Sequence, residues 1–241
     1  MEWSRDFTAL VLHFARQVSR VDGVSLDQAL LRGTPLYPNF TLGTAFDPTD
    51  PVWQEFLAGY HAATDHLEWM HAFYRAHARQ YPPHPYGCFR YHYNPETHTA
   101  GLHFGNLDTS GLGALSRERR RERLHELRAM FADLRQSHPE AEMFAGGSWL
   151  YNIPAYRVLF PPEYIATATP TTPAFTYFDV WGQFLNGQWG LRPGPSRAFL
   201  ENAESATCHE DLAASFPLWP LIVRAPIQNF YAFYGVPSLP E

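Results

Sequence analysis

Apolar residues recur every three or four positions near the start of the chain. Phe7, Leu10, Val11, Phe14 and Val18 predict a helix over 5–20, and a second, short helix is expected over 25–32. The stretch 33–51, rich in Gly, Pro, Asn and Thr, predicts a loop. Asp50-Pro51 pairs a capping residue with proline in the first helical position, which predicts a long helix through about Arg79. Its stripe is Trp53, Phe56, Tyr60, Leu67, Met70 and Tyr74. The cluster Tyr81-Pro82-Pro83-His84-Pro85 ends that helix, because proline lacks an N–H and restricts the residue before it. The pattern therefore divides the chain into a helical N-terminal part, 1–80, and an α/β part, 86–241.

Beyond the boundary the period falls to two. Phe89-Arg90-Tyr91-His92-Tyr93 and Leu102-His103-Phe104 flank the turn residues Asn94-Pro95-Glu96-Thr97-His98, the signature of a hairpin. Pairing Tyr91 with Leu102 and Phe89 with Phe104 puts four apolar side chains on one face. Arg90, His92 and His103 then share the other face. A Gly-rich loop (105–113), a helix over 116–137 and a strand over 142–145 follow. Next come a helix over 149–159, a strand over 163–168 and a Thr/Pro loop over 169–175. Helices near 180–187 and 195–206, a strand over 221–225 and a closing helix over 227–234 complete the pattern. The expected class is α+β, an N-terminal helical segment packed on a mixed sheet flanked by helices.

Composition adds exclusions. The chain has 241 residues, 45% hydrophobic and 17% charged, which excludes a disordered polymer and implies a substantial core. All 18 basic residues are arginine. That excludes lysine Schiff bases, pyridoxal-phosphate attachment and the lysine of a phosphate-binding loop. A net charge of −6 provides no electrostatic reason to expect nucleic acid or an anionic membrane as partner. Cys88 and Cys208 match no metal-ligand spacing and read as reduced thiols. The acidic N-terminus is unlike a signal peptide, and no apolar run reaches the roughly 18–20 residues that span a bilayer. A soluble cytoplasmic protein is expected.

The charge is unevenly spread. Seven arginines and four acids lie between Arg117 and Arg135, so this helix carries +3 and the rest of the chain −9. Leu124, Leu127, Met130, Phe131 and Leu134 form its core stripe. Arg120 and Arg123 occupy the same sector in the first turns, so the helix start either projects beyond the core or faces an anion. Ser110-Gly111-Leu112-Gly113 ahead of it would expose N–H groups at a positive helix end, which suits a phosphate. A solvated amphipathic helix behind a tight turn explains the same residues.

The order hairpin, Gly-loop, helix, strand, helix, strand resembles the core of a GCN5-related N-acetyltransferase (GNAT) fold. Over Leu127–Ile165 the chain resembles the GNAT-like C-terminal domain of bacterial acyltransferase-domain proteins. The matching residues are Leu127-Arg128-Ala129-Met130-Phe131, Phe144, Ser148-Trp149-Leu150, Phe160-Pro161 and Ile165. The family's donor loop reads Gln/Arg-x-x-Gly-x-Gly/Ala, and here it is Asp108-Thr109-Ser110-Gly111-Leu112-Gly113. The resemblance implies acyl transfer with acyl-CoA as co-substrate, held by Ser110, Gly111, Gly113 and Arg117. Asp108 stands in place of the Gln or Arg and would repel a pyrophosphate. By placement, His103 or His92 is the expected base, Tyr151 the acid for the leaving thiolate, and Arg90 and Ser148 the acceptor contacts.

Two readings from other classes stand beside this one. A non-catalytic small-molecule-binding or assembly protein would keep the fold without the donor site. A serine hydrolase would use Ser148 in Gly146-Gly147-Ser148-Trp149-Leu150, with Asp179 and His209. The elbow pattern Gly-x-Ser-x-Gly fails at Leu150, and capping a helix is sufficient to explain Ser148. Twelve histidines invite metal readings, and Glu68/His71 and Glu122/His125 have the Glu-x-x-His spacing of di-iron bundles. Two such pairs are unsurprising in this composition, and no metal is expected. The Tyr- and Trp-rich C-terminal region reads mostly as core, and also fits a small-molecule pocket or a homodimer face.

Overall fold

Ser4 opens the first helix, α1 (Arg5–Asp22), by accepting the Phe7 N–H at 3.2 Å, and Gly23, left-handed at φ 66°, closes it. The computed structural model describes residues 3–40, 42–43, 45–78, 82–171 and 174–237. After α1 come α2 (Leu26–Arg32), α3 (Leu36–Asn39), α4 (Pro51–Ala62) and α5 (His66–His77). The single long helix expected from Asp50 is thus two. Asp65 accepts the Glu68 N–H at 3.0 Å and starts α5, which folds back until Trp69 Nε1 donates to the Phe56 carbonyl. Gly59 permits that approach, since any Cβ there would collide with the Trp69 indole. The anticipated helix end near Arg79 and the first residue of the proline cluster, Tyr81, lie outside the described residues.

The chain then forms β1 (Phe89–Asn94), β2 (Thr99–Phe104), α6 (Arg120–Ser137) and β3 (Met143–Ser148). The helix expected over 149–159 is a 3₁₀ turn, Trp149–Asn152, followed by α7 (Pro154–Arg157). Pro154 holds Ile153 extended and separates them. Residues 163–168, expected as a strand, begin instead with α8 (Pro162–Ile165), whose Pro162 stands at the first helical position. A two-residue strand, β4 (Thr169–Pro170), follows, and Thr172 and Pro173 of the expected loop lie outside the described residues. Next are α9 (Phe178–Trp181), α10 (Pro193–Ser205) and α11 (His209–Ala214), then β5 (Leu221–Pro226) and α12 (Ile227–Tyr234).

Two compact units result: Met1–Tyr81 with Thr172–Leu218, and Pro82–Thr171 with Trp219–Glu241. Residues 172–218, assigned from the pattern to the α/β part, pack instead with the N-terminal helices. In that helical unit Phe14 of α1 is the hub, meeting the rings of Phe175, Trp181, Phe199 and Phe216 at centroid distances of 5.0 to 5.4 Å.

The second unit is a five-stranded mixed sheet in the order β1-β2-β3-β5-β4. The hairpin has the expected register, Phe89 opposite Phe104 and Tyr91 opposite Leu102. β2 and β3 are parallel and joined by α6, while β5 runs antiparallel to both β3 and β4. Phe131 of α6 stacks on Phe230 of α12 and packs on Phe144 of β3, with centroids 4.9 and 4.7 Å apart. Tyr91 donates to Asp133 of α6 at 2.7 Å, tying the hairpin to the helix. The class is α+β. Among the described residues no helix is long and apolar enough to cross a membrane.

Removing the cap that divides α4 from α5 tests this account. Asp65→Ala is expected to lose about 1 kcal/mol in urea unfolding; no loss would show that the reversal does not depend on the cap.

Candidate functional site

Between β2 and α6 the chain makes a loop shaped by Asp108. Its Oδ1 accepts the Ser110 N–H at 2.8 Å and also the Ser110 hydroxyl, while Ser110 Oγ accepts the Leu112 N–H at 3.3 Å. Gly111 and Gly113 follow at φ 79° and 85°, where glycine is favoured, and a Cβ on either would meet nothing within 4 Å. These glycines set backbone direction, not close packing. Ser110, Gly111, Gly113 and Arg117 are all exposed, and the two glycine N–H groups make no hydrogen bond with the described residues.

The second Asp108 oxygen accepts Arg119 Nε at 2.7 Å, with Arg123 Nη1 at 3.8 Å. The Ser110 hydroxyl above all, then the Ser110 N–H and Arg119, pull its carboxyl down to about 2 against desolvation. The repulsion expected from Asp108 is therefore met inside the loop. Arg123, only 2% exposed, answers why an arginine sits on the apolar stripe of α6. It faces internal anions: Nη2 reaches Glu126 at 2.7 Å and Glu122 at 3.0 Å, and Nη1 donates to Cys88 Sγ. Glu126 also accepts the Cys88 N–H at 3.2 Å, and Gly87, left-handed at φ 64°, leaves room for that carboxylate. Burial pushes both the Glu126 carboxyl and the Cys88 thiol upward.

On the sheet, Arg90 pairs with His103 and His92 with Gly101, so Arg90, His92 and His103 do share a face. His92 Nδ1 and His103 Nε2 are 2.7 Å apart, a bond that requires one ring to donate and the other to accept. The glycines at 101 and 105, which leave space on this face, are covered by imidazoles: His92 lies over Gly101 and His84 over Gly105. His84 Nδ1 is held at 3.2 Å from the Cys88 carbonyl. Burial, then the charge of Arg90, lowers the His92 pKa.

β2 and β3 pair only between Thr99–Gly101 and Met143–Ala145. Leu102–Phe104 and Gly146–Ser148 run on with no ladder between them, so the strands part at their C-terminal ends, where the glycine loop begins. Open sheets bind ligands at such places. His103 stands on the free-running half of β2. Across the gap Gly147 has open space above it, whereas Gly146, on the core face with Phe144, is covered by the Tyr151 and Tyr164 hydroxyls. These two hydroxyls are 2.8 Å apart, and burial raises both pKa values far above the usual tyrosine range. Tyr151 is 1% exposed and lies on the opposite side of the sheet from His92 and His103. The expected acid and base are not brought together.

Ser148 Oγ accepts the Leu150 N–H at 3.1 Å and caps the 3₁₀ turn. Asp179 and His209 belong to the other unit, where His209 pairs with Asp22 at 2.9 Å. The Glu-x-x-His pairs are likewise engaged: Glu68 with Arg5 at 3.2 Å, His71 with Thr8 at 3.1 Å, and Glu122 with Arg119 at 2.5 Å. Among the described residues no group of three or more His, Cys, Asp or Glu could hold a metal ion.

Arg123→Ala is expected to cost about 3 kcal/mol in urea unfolding, because it strands buried carboxylates; a loss below about 1 kcal/mol would mean the network is idle. An NMR titration of His92 should show a midpoint below the ordinary value of about 6.5. The folded state favours the neutral ring, so this contribution to stability is present above about 6.5 and lost as pH falls through the lowered value. Gly101→Ala should displace the ring and move the midpoint back; a wild-type midpoint at or above about 6.5 would contradict the assignment.

No family model matches the chain, and no curated protein or solved structure matches it.

Proposed function

We propose that the sheet unit transfers an acyl group from a phosphate-bearing thioester, of the acyl-CoA type, to an amine. The observation that carries this reading is the parallel β2–α6–β3 crossover with strands that part after Gly101 and Ala145. It gives the donor a slot between the strands and a phosphate site at the mouth, built from the Gly111 and Gly113 N–H groups and Arg117. The first four elements of the order implied by the GNAT resemblance (hairpin, glycine loop, helix, strand) support it as well. So does Asp108, whose charge is spent on Arg119 instead of facing the donor.

In this reading the His92–His103 pair takes a proton from the acceptor amine. The amine nitrogen attacks the thioester carbonyl, the C–N bond forms and the C–S bond breaks. The thiolate draws its proton from solvent, since Tyr151 is enclosed on the far side of the sheet. Such chemistry belongs in the cytoplasm, where thiols such as Cys88 and Cys208 stay free.

The enclosed Tyr151 favours one second reading, a non-catalytic protein that binds the same ligand. Thermal unfolding with acetyl-CoA and longer acyl-CoAs judges both. Acyl-CoA should raise the melting temperature, and Arg117→Ala should weaken binding about threefold to tenfold, the value of one exposed phosphate contact. No shift at millimolar ligand would sink the transferase reading, whereas binding without thiol release in the presence of amines would favour the second.

A further inference from the structure

One row of residues crosses the sheet on the face opposite α6. His92 pairs with Gly101, Gly101 with Ala145, and Ala145 with Arg224. Adjacent strands lie about 4.8 Å apart, so the His92 and Arg224 backbones are separated by about 14 Å; the His92 ring covers Gly101, and between that ring and Arg224 the row offers only the methyl group of Ala145. Gly147, next along β3 on the same face, has nothing above it. The result is a shallow trough with a histidine pair on one bank and an arginine on the other.

Arg224 is exposed, and its backbone N–H is held by Thr167 Oγ1 at 3.0 Å. Its guanidinium makes no hydrogen bond or ion pair with the described residues. The strand residues of this face include Arg90, His92, His103 and Arg224, and none is acidic. A cationic amine would find no counter-charge among these strand residues. A carboxylate would find a guanidinium that offers two parallel donors.

We propose that this trough binds the acceptor, and that the acceptor is an amine bearing a carboxylate. Arg224 takes the carboxylate, and the amine lies over Ala145 against the His92–His103 pair. This deepens the acyl-transfer reading and rests on it for the word acceptor, but the carboxylate site can be tested with no donor present.

The probes are β-alanine and propylamine, three-carbon amines that differ in the carboxylate. They are titrated separately into the isotope-labelled full chain and followed by NMR. β-Alanine is expected to shift the His92 and His103 ring signals and the Gly147 amide saturably, while propylamine leaves them in place. Arg224→Gln should weaken β-alanine binding at least tenfold at an unchanged melting temperature, and Arg224→Lys should weaken it less. No response to β-alanine, an equal response to both amines, or unchanged affinity in Arg224→Gln would overturn the proposal. A chain that binds β-alanine this way but ignores acyl-CoA would retain the carboxylate site and lose the transferase reading.

Discussion

A buried arginine holds the glycine-loop end of the sheet unit together. Arg123 sits on the apolar stripe of α6 one turn before Leu127, and its guanidinium is enclosed by Glu126, Glu122 and the Cys88 sulfur, with Asp108 beyond. Three elements meet there: the approach to β1 through Cys88, the glycine loop through Asp108, and the helix itself. Taking those charges out of water is expensive, and only the full set of partners offsets the cost. The glycine loop is thereby held through Asp108 and left open at Gly111 and Gly113.

The second constraint is geometric. β2 and β3 share three residues of ladder and then part, while β1 and β5 pair fully on the outer sides. Glycine supports both edges of that opening for different reasons. At Gly101 and Gly105 it lets imidazoles lie flat on the backbone, and at Gly146 it admits two tyrosine hydroxyls from the core side. Polar chemistry of opposite character thus approaches the same opening from the two faces, histidine from one and enclosed phenol from the other.

Much of this was readable from residue order, and the failures have identifiable causes. The hairpin register followed from period-two alternation, because a one-residue slip would have turned Phe89 and Tyr91 outward. The odd position of Arg123 was visible as an arginine on an apolar stripe, but its partners come from Cys88 and Asp108, whose approach is tertiary. The break between α4 and α5 was marked by Asp65 with Glu68 three residues on, a capping signal overridden by the continuous apolar stripe. Tyr151 looked available because it follows a strand, and the side of the sheet it faces depends on how the 3₁₀ turn packs. Arg224 could not be paired with His92 before the strand order was known, since β5 reaches β3 only through that order.

The order of the strands along the chain also has a consequence for biosynthesis. β5 lies between β3 and β4, yet it is made last, after the chain has left the sheet unit for residues 172–218 and returned. Until the ribosome has released Leu221–Pro226, β3 carries a bare edge and β4, two residues long, has no neighbour at all. The helical unit faces the same delay, because Phe199 and Phe216 arrive late for the cluster around Phe14. Each unit thus waits on a segment far along the chain, and until β5 arrives the exposed β3 edge is the point most open to mispairing.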